Sequence, residues 1–349
     1  MVLLRNLFSN DTGPRRRSIS YRHLRTALVF GVLAGASATP VMASPILYTL
    51  TTTLPFFNAW DINEKGQVAG WSTVTNQAQT YMPGIGIQTL PMVAGVTSSV
   101  AYTINEASQV AGRVYGLPNY DQYGYYVNNG FLYTPGGSPA TRTITGGIGF
   151  DHQLNESGQV VYLGGPLAPV PNANNNVITG VHGEYASGYT TVPGEANGQS
   201  WRRNNDGTFT FLHQYIPTPE SQAYGINASG TVVGREIGGT NGLSAFVYSD
   251  GLGALDLFSV TDPASLTGWK RFSSAQDITS DGKIIGWGVY DVPDYGSSYI
   301  SGFILTPITT VPEPGVLALM LAAIAAAACA LRLRTWQHRS SSVDLQRLA

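Results

Sequence analysis

The chain has 349 residues, of which only 11% are charged, with 41 Gly, 20 Pro and one Cys. Its formal charge of −2 is unevenly laid: residues 1–43 carry six Arg and one Asp, residues 44–308 nine Lys/Arg against eighteen Asp/Glu, and residues 309–349 four Arg and two acids. The acidic middle excludes nucleic acid as a partner, which would need a basic working face, and the lone Cys329 lies outside it, excluding a disulfide or thiolate-bound metal there.

At the N-terminus, RRRSISYRHLR (15–25) precedes the apolar run Thr26–Ala38, and Val41-Met42-Ala43 supplies modest side chains at the −3 and −1 positions. Basic, apolar and small-residue regions in that order describe a secretory signal peptide over 1–43, cleaved between Ala43 and Ser44. An uncleaved anchor is the competing reading, but the run is short for a bilayer. Arg16-Arg17 also opens a twin-arginine pattern; Ser18-Ile19-Ser20-Tyr21 fit it poorly, so general secretion is favoured.

In the middle, 43% apolar and 11% aromatic residues are too many for a disordered chain, and with so much Gly they suggest short strands joined by tight turns. Self-alignment exposes one unit five times: AWDINEKGQVAG (59–70), AYTINEASQVAG (101–112), DHQLNESGQVVY (151–162), AYGINASGTVVG (223–234) and AQDITSDGKIIG (275–286). Successive units are offset by 42, 50, 72 and 52 residues, the period of a propeller or similar array.

An apolar residue (Ile62, Ile104, Leu154, Ile226, Ile278) closes one strand, and four turn residues follow, Asn or Thr first and Gly fourth. That pattern fits a type I turn with a left-handed fourth residue, so each motif predicts a hairpin. Gly70, Gly112, Gly234 and Gly286 mark places where backbones crowd. Ser108, Thr279 and Tyr162 are the departures from the pattern.

Second hairpins with aromatic strands follow, as in TYMPGIGIQTL (80–90), GFLYTPGGSPATRTI (130–144), SWRRNNDGTFTFL (200–212) and SAFVYSDGLGALDL (244–257). The fifth unit ends at GFILTPI (302–308), one strand short, while ILYTLTTTLP (46–55) stands alone before the first. The lone strand therefore completes the last blade. This predicts an all-β repeat propeller of about five, or six, four-stranded blades over 44–308, closed without an exposed edge. A linear β-solenoid is the competing architecture. The paired elements resemble the HAF-repeat extracellular proteins, whose unit reads approximately A-x-x-I-N-x-x-G-x-V-x-G followed by an A-F-like strand, best matched at Ser244-Ala245-Phe246. The resemblance covers about residues 46–308 and implies a propeller-like fold with no established activity.

At the C-terminus, Val311-Pro312-Glu313-Pro314 precedes the uncharged run Gly315–Leu331, then Arg332, Arg334 and Arg339. As a helix the run rises about 26 Å, marginal for a hydrocarbon core of about 30 Å, and the arginines after it belong on the cytoplasmic side. The order of parts over 311–339 resembles the PEP-CTERM sorting signal of Gram-negative bacteria, with two departures: ten further residues follow Arg339, and the basic residues are spaced. The resemblance implies that an exosortase recognises Pro312-Glu313-Pro314 and removes the helix. The precursor would sit in the inner membrane and the product in the cell envelope or extracellular matrix. A plain single-pass anchor is the competing reading. The same signal also carries an ice-binding protein C-terminal domain label, but the Thr clusters 51–53 and 141–145 form no repeating array.

For chemistry, the chain lacks a G-x-S-x-G elbow, H-E-x-x-H, a Gly-rich loop with Lys, and EF-hand spacing. His152, His182 and His213 meet no metal-ligand spacing. Turn chemistry accounts for Asp206, Asp250, Asp277 and Asp281. No catalytic, cofactor-binding or metal residue is therefore assigned, Ca²⁺ held by blade loops being the single cofactor left open. Trp60, Trp71, Trp269 and Trp287 read as core. Candidate ligand loops are Pro118–Asn129, with Tyr120, Tyr123, Tyr125 and Tyr126, and 164–199, with Tyr185 and Tyr189, because insertions in repeats map to loops and Tyr suits polar ligands. The competing reading is that these Tyr residues pack loops onto blades. The expectation is an exported, non-enzymatic envelope or biofilm-matrix protein binding exopolysaccharide or a surface protein. The alternative is a propeller-type polysaccharide hydrolase or lyase, which would require acids among Asp151, Glu184, Glu195, Asp206 and Glu236 to meet at one end of the channel.

Overall fold

The computed structural model describes residues 46–308 apart from 118–128, 138–139, 146–147, 150, 164–169, 171–173, 192–197, 213–219, 240–241 and 293–296. Residues 1–45 and 309–349 lie outside the described residues, and with them Ala43–Ser44, Val311–Pro314 and Arg332, Arg334 and Arg339. So do the loop tyrosines Tyr120, Tyr123, Tyr125 and Tyr126, together with His213 and Glu195.

The repeat turn folds as its residues dictate. In the first unit the Gly66 N–H donates to Asn63 O (2.9 Å) and the Gln67 N–H to Asn63 Oδ1 (3.0 Å), with Gly66 at φ 74°. Asn105, Asn155 and Asn227 repeat the cap, and the Thr279 hydroxyl substitutes by accepting from the Lys283 N–H at 2.9 Å. Ser108 takes the glycine's place and its left-handed φ of 61°, a conformation that costs a non-Gly residue about 1 kcal/mol. Each turn links two antiparallel strands and fixes their register.

The lone strand β1 (Tyr48–Pro55) is followed by the first blade, β2 (Phe57–Ile62), β3 (Val68–Ser72), β4 (Ala78–Met82) and β5 (Gly86–Thr89). The second blade is β6 (Ser98–Ile104), β7 (Val110–Tyr115), β8 (Asn129–Tyr133) and β9 (Thr141–Thr145). A two-stranded hairpin follows, β10 (His152–Leu154) and β11 (Val160–Tyr162), and then a blade of β12 (Asn174–His182), β13 (Tyr185–Thr191), β14 (Gly198–Arg203) and β15 (Phe209–Phe211). The fourth motif opens β16 (Glu220–Ile226), β17 (Val232–Gly239), β18 (Gly242–Ser249) and β19 (Gly253–Asp256). The fifth opens β20 (Trp269–Ile278), β21 (Ile284–Val292) and β22 (Ser297–Pro307). β1 pairs with β22 from Tyr48↔Pro307 to Pro55↔Ser301, so the first strand completes the last blade. The fold is all-β, a propeller of five four-stranded blades, and the ring is closed by the predicted strand exchange.

The stretch 164–199 is not the loop that the sequence suggests. Its described part holds β12 and β13, turned by Gly183-Glu184 with Gly183 at φ 60°. A two-residue hairpin needs no Asn-x-x-Gly turn, so this blade is invisible to the repeat, and the 72-residue offset is one hairpin plus one blade. Tyr185 and Tyr189 are therefore strand residues, both half-buried on β13. The guanidinium of Arg202 lies 5.8 Å from the Tyr185 ring centre.

A Cβ on Gly112 would stand 2.0 Å from Val100 O and 2.7 Å from the Phe131 ring, and Gly70, Gly234 and Gly286 meet the equivalent carbonyls and Phe57, Phe246 and Phe303. The final motif glycine is thus the space in which an aromatic side chain lies against the sheet. The core fills the layers between blades: Trp269, Phe272 and Phe303 pack edge-on or tilted, and Ile62 and Val68 of the first blade join Ile285 and Ile304 of the last. Each fully buried side chain of this size contributes about 1.5–3 kcal/mol.

Candidate functional site in the central channel

Six first strands, β2, β6, β10, β12, β16 and β20, surround one cavity of about 320 Å³. In four of them the register shifts between motif Ala and the residue before the motif Ile: 59/61, 101/103, 223/225 and 275/277. Alternation along a strand would send only every second side chain inward. A bulge re-aims one more, so both positions between Ala and Ile serve the channel. They are Trp60-Asp61, Tyr102-Thr103, His152-Gln153, Tyr224-Gly225 and Gln276-Asp277. All but Gly225 line the cavity, and Gly225 is small because a Cβ there would stand 2.7 Å from Asp277 Oδ1.

Trp60, expected in the core, instead lines this cavity with its ring edge-on to Tyr102 at 5.2 Å. Its indole N–H is buried and meets no acceptor among the described residues. Trp71 and Trp287 are half-buried, Trp269 is core, and the largest fully buried side chain is Trp201. The Tyr102 phenol is pushed up to about 12, first by burial and then by Tyr115. Burial likewise raises Tyr224, whose O–H donates to Gln222 Oε1 at 2.6 Å. Arg235 Nε donates to the same oxygen at 3.0 Å, and Gln222 Nε2 donates to Glu220 at 2.9 Å. Tyr189 is raised by burial first, with Arg235 opposing and Asp151 and Glu220 adding to the rise.

Asp61 and Asp277 come together in the channel from the first and last repeats. Asp61 Oδ2 accepts the Ile104 N–H (2.7 Å) and Asp277 Oδ2 the Ile62 N–H (3.3 Å), and the two carboxyls face each other. Thr103 Oγ1 continues the series by accepting the Leu154 N–H at 3.0 Å. Asp61, Thr103 and Asp277 thus each latch their repeat to the next. Enclosure by protein, and then the facing Asp61, hold the Asp277 carboxyl well above the ordinary carboxylate range. Two facing carboxylates repel when both are ionised, which favours the protonated form of Asp277. Asp277 is therefore a channel residue and not the turn acid of the sequence reading; Asp281, beside Thr279 and Lys283, does serve the turn.

A second latch runs along the rim. Asn63 Nδ2 donates to Asn105 O (3.0 Å), Asn105 Nδ2 to Asn155 O (2.9 Å) and Asn227 Nδ2 to Thr279 O (3.3 Å). The next residue runs the other way: Glu106 accepts the Glu64 N–H (2.6 Å), Glu156 the Glu106 N–H (3.2 Å) and Glu64 the Ser280 N–H (2.9 Å).

The acids that the hydrolase reading would need together are held apart by local partners. Asp151 binds His152 Nδ1 at 2.7 Å before β10, and exposed Glu184 lies 3.4 Å from Arg203 at the β12–β13 turn. Asp206 is tied to Thr208 at the β14–β15 turn, which lowers it, while Glu236 on β17 is raised to about 7 by burial and then by Asp256. His152 and His182 both line the channel, yet among the described residues no three His, Cys, Asp or Glu side chains are grouped to hold a metal.

The channel pairs had a signal in the sequence: they are the positions that differ between units whose neighbours stay constant.

No protein-family model matches the chain, and no curated protein does either. Among solved structures the chain is similar to virginiamycin B lyase from Staphylococcus aureus, at 13% identity, covering 74% of this chain and 99% of that one with a TM-score of 0.35. It is similar to a streptogramin B lyase at 12% identity, over 74% and 97% of the two chains, with a TM-score of 0.31. A third similarity is to YCF48 bound to D1 peptide, at 14% identity, 75% and 74% coverage and a TM-score of 0.22.

Proposed function

We propose that the chain is an exported cell-envelope or matrix protein whose propeller holds a saccharide segment in its central channel. The observation that carries the binding half is the lining itself. Nine of the ten variable positions line the cavity, and they supply Trp60 and Tyr102 as aromatic surface beside Gln153, Gln276, Thr103 and the Asp61–Asp277 pair as hydrogen-bonding groups. Flat apolar rings with a few convergent polar groups suit a polyhydroxylated ring, and about 320 Å³ is the size of one or two sugar residues. The export half rests on the order of parts in 1–43 and 311–339, with an exosortase as processing partner.

Binding is preferred to hydrolysis because a glycosidase sets two carboxyls about 5–9.5 Å apart across the reacting centre, whereas none of the described acids that the hydrolase reading named, Asp151, Glu184, Asp206 and Glu236, lines the channel. The test is affinity electrophoresis of the full chain in gels containing the host exopolysaccharide, beside Trp60→Ala. Retardation that the variant loses is expected. Absence of retardation, or retardation unchanged in Trp60→Ala, overturns the channel reading.

A further inference from the structure

Charge in the channel is one-sided. Among the described residues five acids, Asp61, Glu64, Glu106, Glu156 and Asp277, contribute to the lining, and neither Lys nor Arg does. Cations around the channel have partners of their own: Lys65 donates to Glu106 O and Lys283 pairs with Asp281, Arg235 is held by Gln222 and Tyr224, and Arg113, which acts on Tyr102, lies over the Tyr115 ring. An anionic sugar would meet unbalanced negative potential inside low-dielectric walls, which focus it. The aromatic surface points the same way, since the faces of Trp and Tyr attract cations through their quadrupole. Trp60 precedes Asp61 in the chain, and its ring meets that of Tyr102 in the same cavity.

We propose that the residue held in the channel is a hexosamine with a free, protonated amino group, its ammonium set against the cavity side of Asp61 and Asp277 and its ring against Trp60. This rests on the saccharide reading above and narrows it to a cationic glycan. Burial and the facing Asp61 favour the proton on Asp277. An arriving ammonium supplies the positive charge in its place, and that proton leaves to solvent. Amide nitrogen could not do this, so the N-acetylated sugar is disfavoured by leaving the pair without a cation.

The experiment is calorimetric titration of the full chain with three probes: a glucosamine oligomer, the N-acetylated oligomer of equal length and a neutral glucose oligomer. The expected result is binding of the glucosamine oligomer at least about tenfold tighter than of either other probe. Its measured heat should vary with the ionisation enthalpy of the buffer, reporting the released proton. Asp277→Asn should bring the three affinities to within a factor of about two. Gln153→Lys lines the same cavity outside the latches and places a cation there, so it should do the same even if Asp277→Asn fails to fold. Equal or tighter binding of an uncharged probe, abolished by Trp60→Ala, overturns the cationic preference and leaves the saccharide reading standing. Binding of no probe, or binding indifferent to every channel variant, overturns both.

Discussion

Asn105→Ala removes the best-formed rim latch together with the cap of its own turn. Asn105 is 3% exposed. Its Nδ2 donates to Asn155 O in the next repeat and to Gln109 Oε1, each at 2.9 Å, and its Oδ1 accepts the Gln109 N–H, also at 2.9 Å. Three bonds at a net value of about 1 kcal/mol each give a loss of about 3 kcal/mol. In a domain of this size that lowers Tm by about 6 °C. Asn155→Ala is the internal control, because Asn155 occupies the same motif position but its side chain bonds only within its own turn, to Ser157 and Gln159. On that more exposed turn the loss should be about 1 kcal/mol. Urea unfolding at pH 7, followed by tryptophan fluorescence, measures the difference. If both variants cost the same within about 0.5 kcal/mol, the bond between repeats contributes nothing and the motif Asn acts through its turn alone.

Two glycine substitutions should differ by cause. Gly112→Ala drives a Cβ to 2.0 Å from the backbone oxygen of Val100 and should cost more than about 3 kcal/mol, beyond ordinary overpacking, whereas Gly66→Ala meets nothing closer than 3.7 Å and should cost only the left-handed strain of about 1 kcal/mol; equal midpoints in urea would contradict the crowding argument. Glu236 supplies a pH dependence of unusual sign. Its folded pKa of about 7 exceeds the ordinary 4.5, so between those values the folded chain binds the proton and the unfolded chain does not, and stability falls as pH rises from about 4.5 to about 7, then levels. Solvent screening at this half-exposed site limits the effect to about 1 kcal/mol, and stability curves from pH 4 to 8 that are no flatter for Glu236→Gln would refute the assignment.

The fold was readable because the motif's fixed residues do backbone work. Asn63 and its equivalents cap a turn, Gly66 takes a left-handed φ, and Gly70 admits Phe57, so each leaves a residue-type signature at constant spacing. The unpaired segment 46–55 likewise announced the β1–β22 closure. Sequence reasoning failed at β12–β13, where Gly183-Glu184 makes a different turn, and at the channel. There the informative positions, Trp60-Asp61 through Gln276-Asp277, are those a repeat alignment discards as variable. Nothing in linear spacing brings Asp61 within reach of Asp277; ring closure does, because the first and last repeats are neighbours only in the folded chain.

That seam separates the two tasks of the Asp61–Asp277 pair. As latches, the carboxyls need only a lone pair each, for the Ile104 and Ile62 N–H groups. As neighbours, they need one donor between them, which a proton on Asp277 supplies. Asp277→Asn meets both needs with permanent groups: the amide oxygen accepts from Ile62 and the amide nitrogen donates to Asp61. The variant should therefore fold as stably as the parent at pH 5, within about 0.5 kcal/mol, and gain relative to it as the pH rises and the parent's proton becomes harder to hold. The seam has further ties in the β1–β22 pairing and the Glu64–Ser280 bond, so ionisation of the pair weakens the ring without opening it. Asp277→Asn unfolding more than about 1 kcal/mol more easily than the parent at pH 5 would show that the carboxyl is required as an acid, and that this account of the seam is wrong.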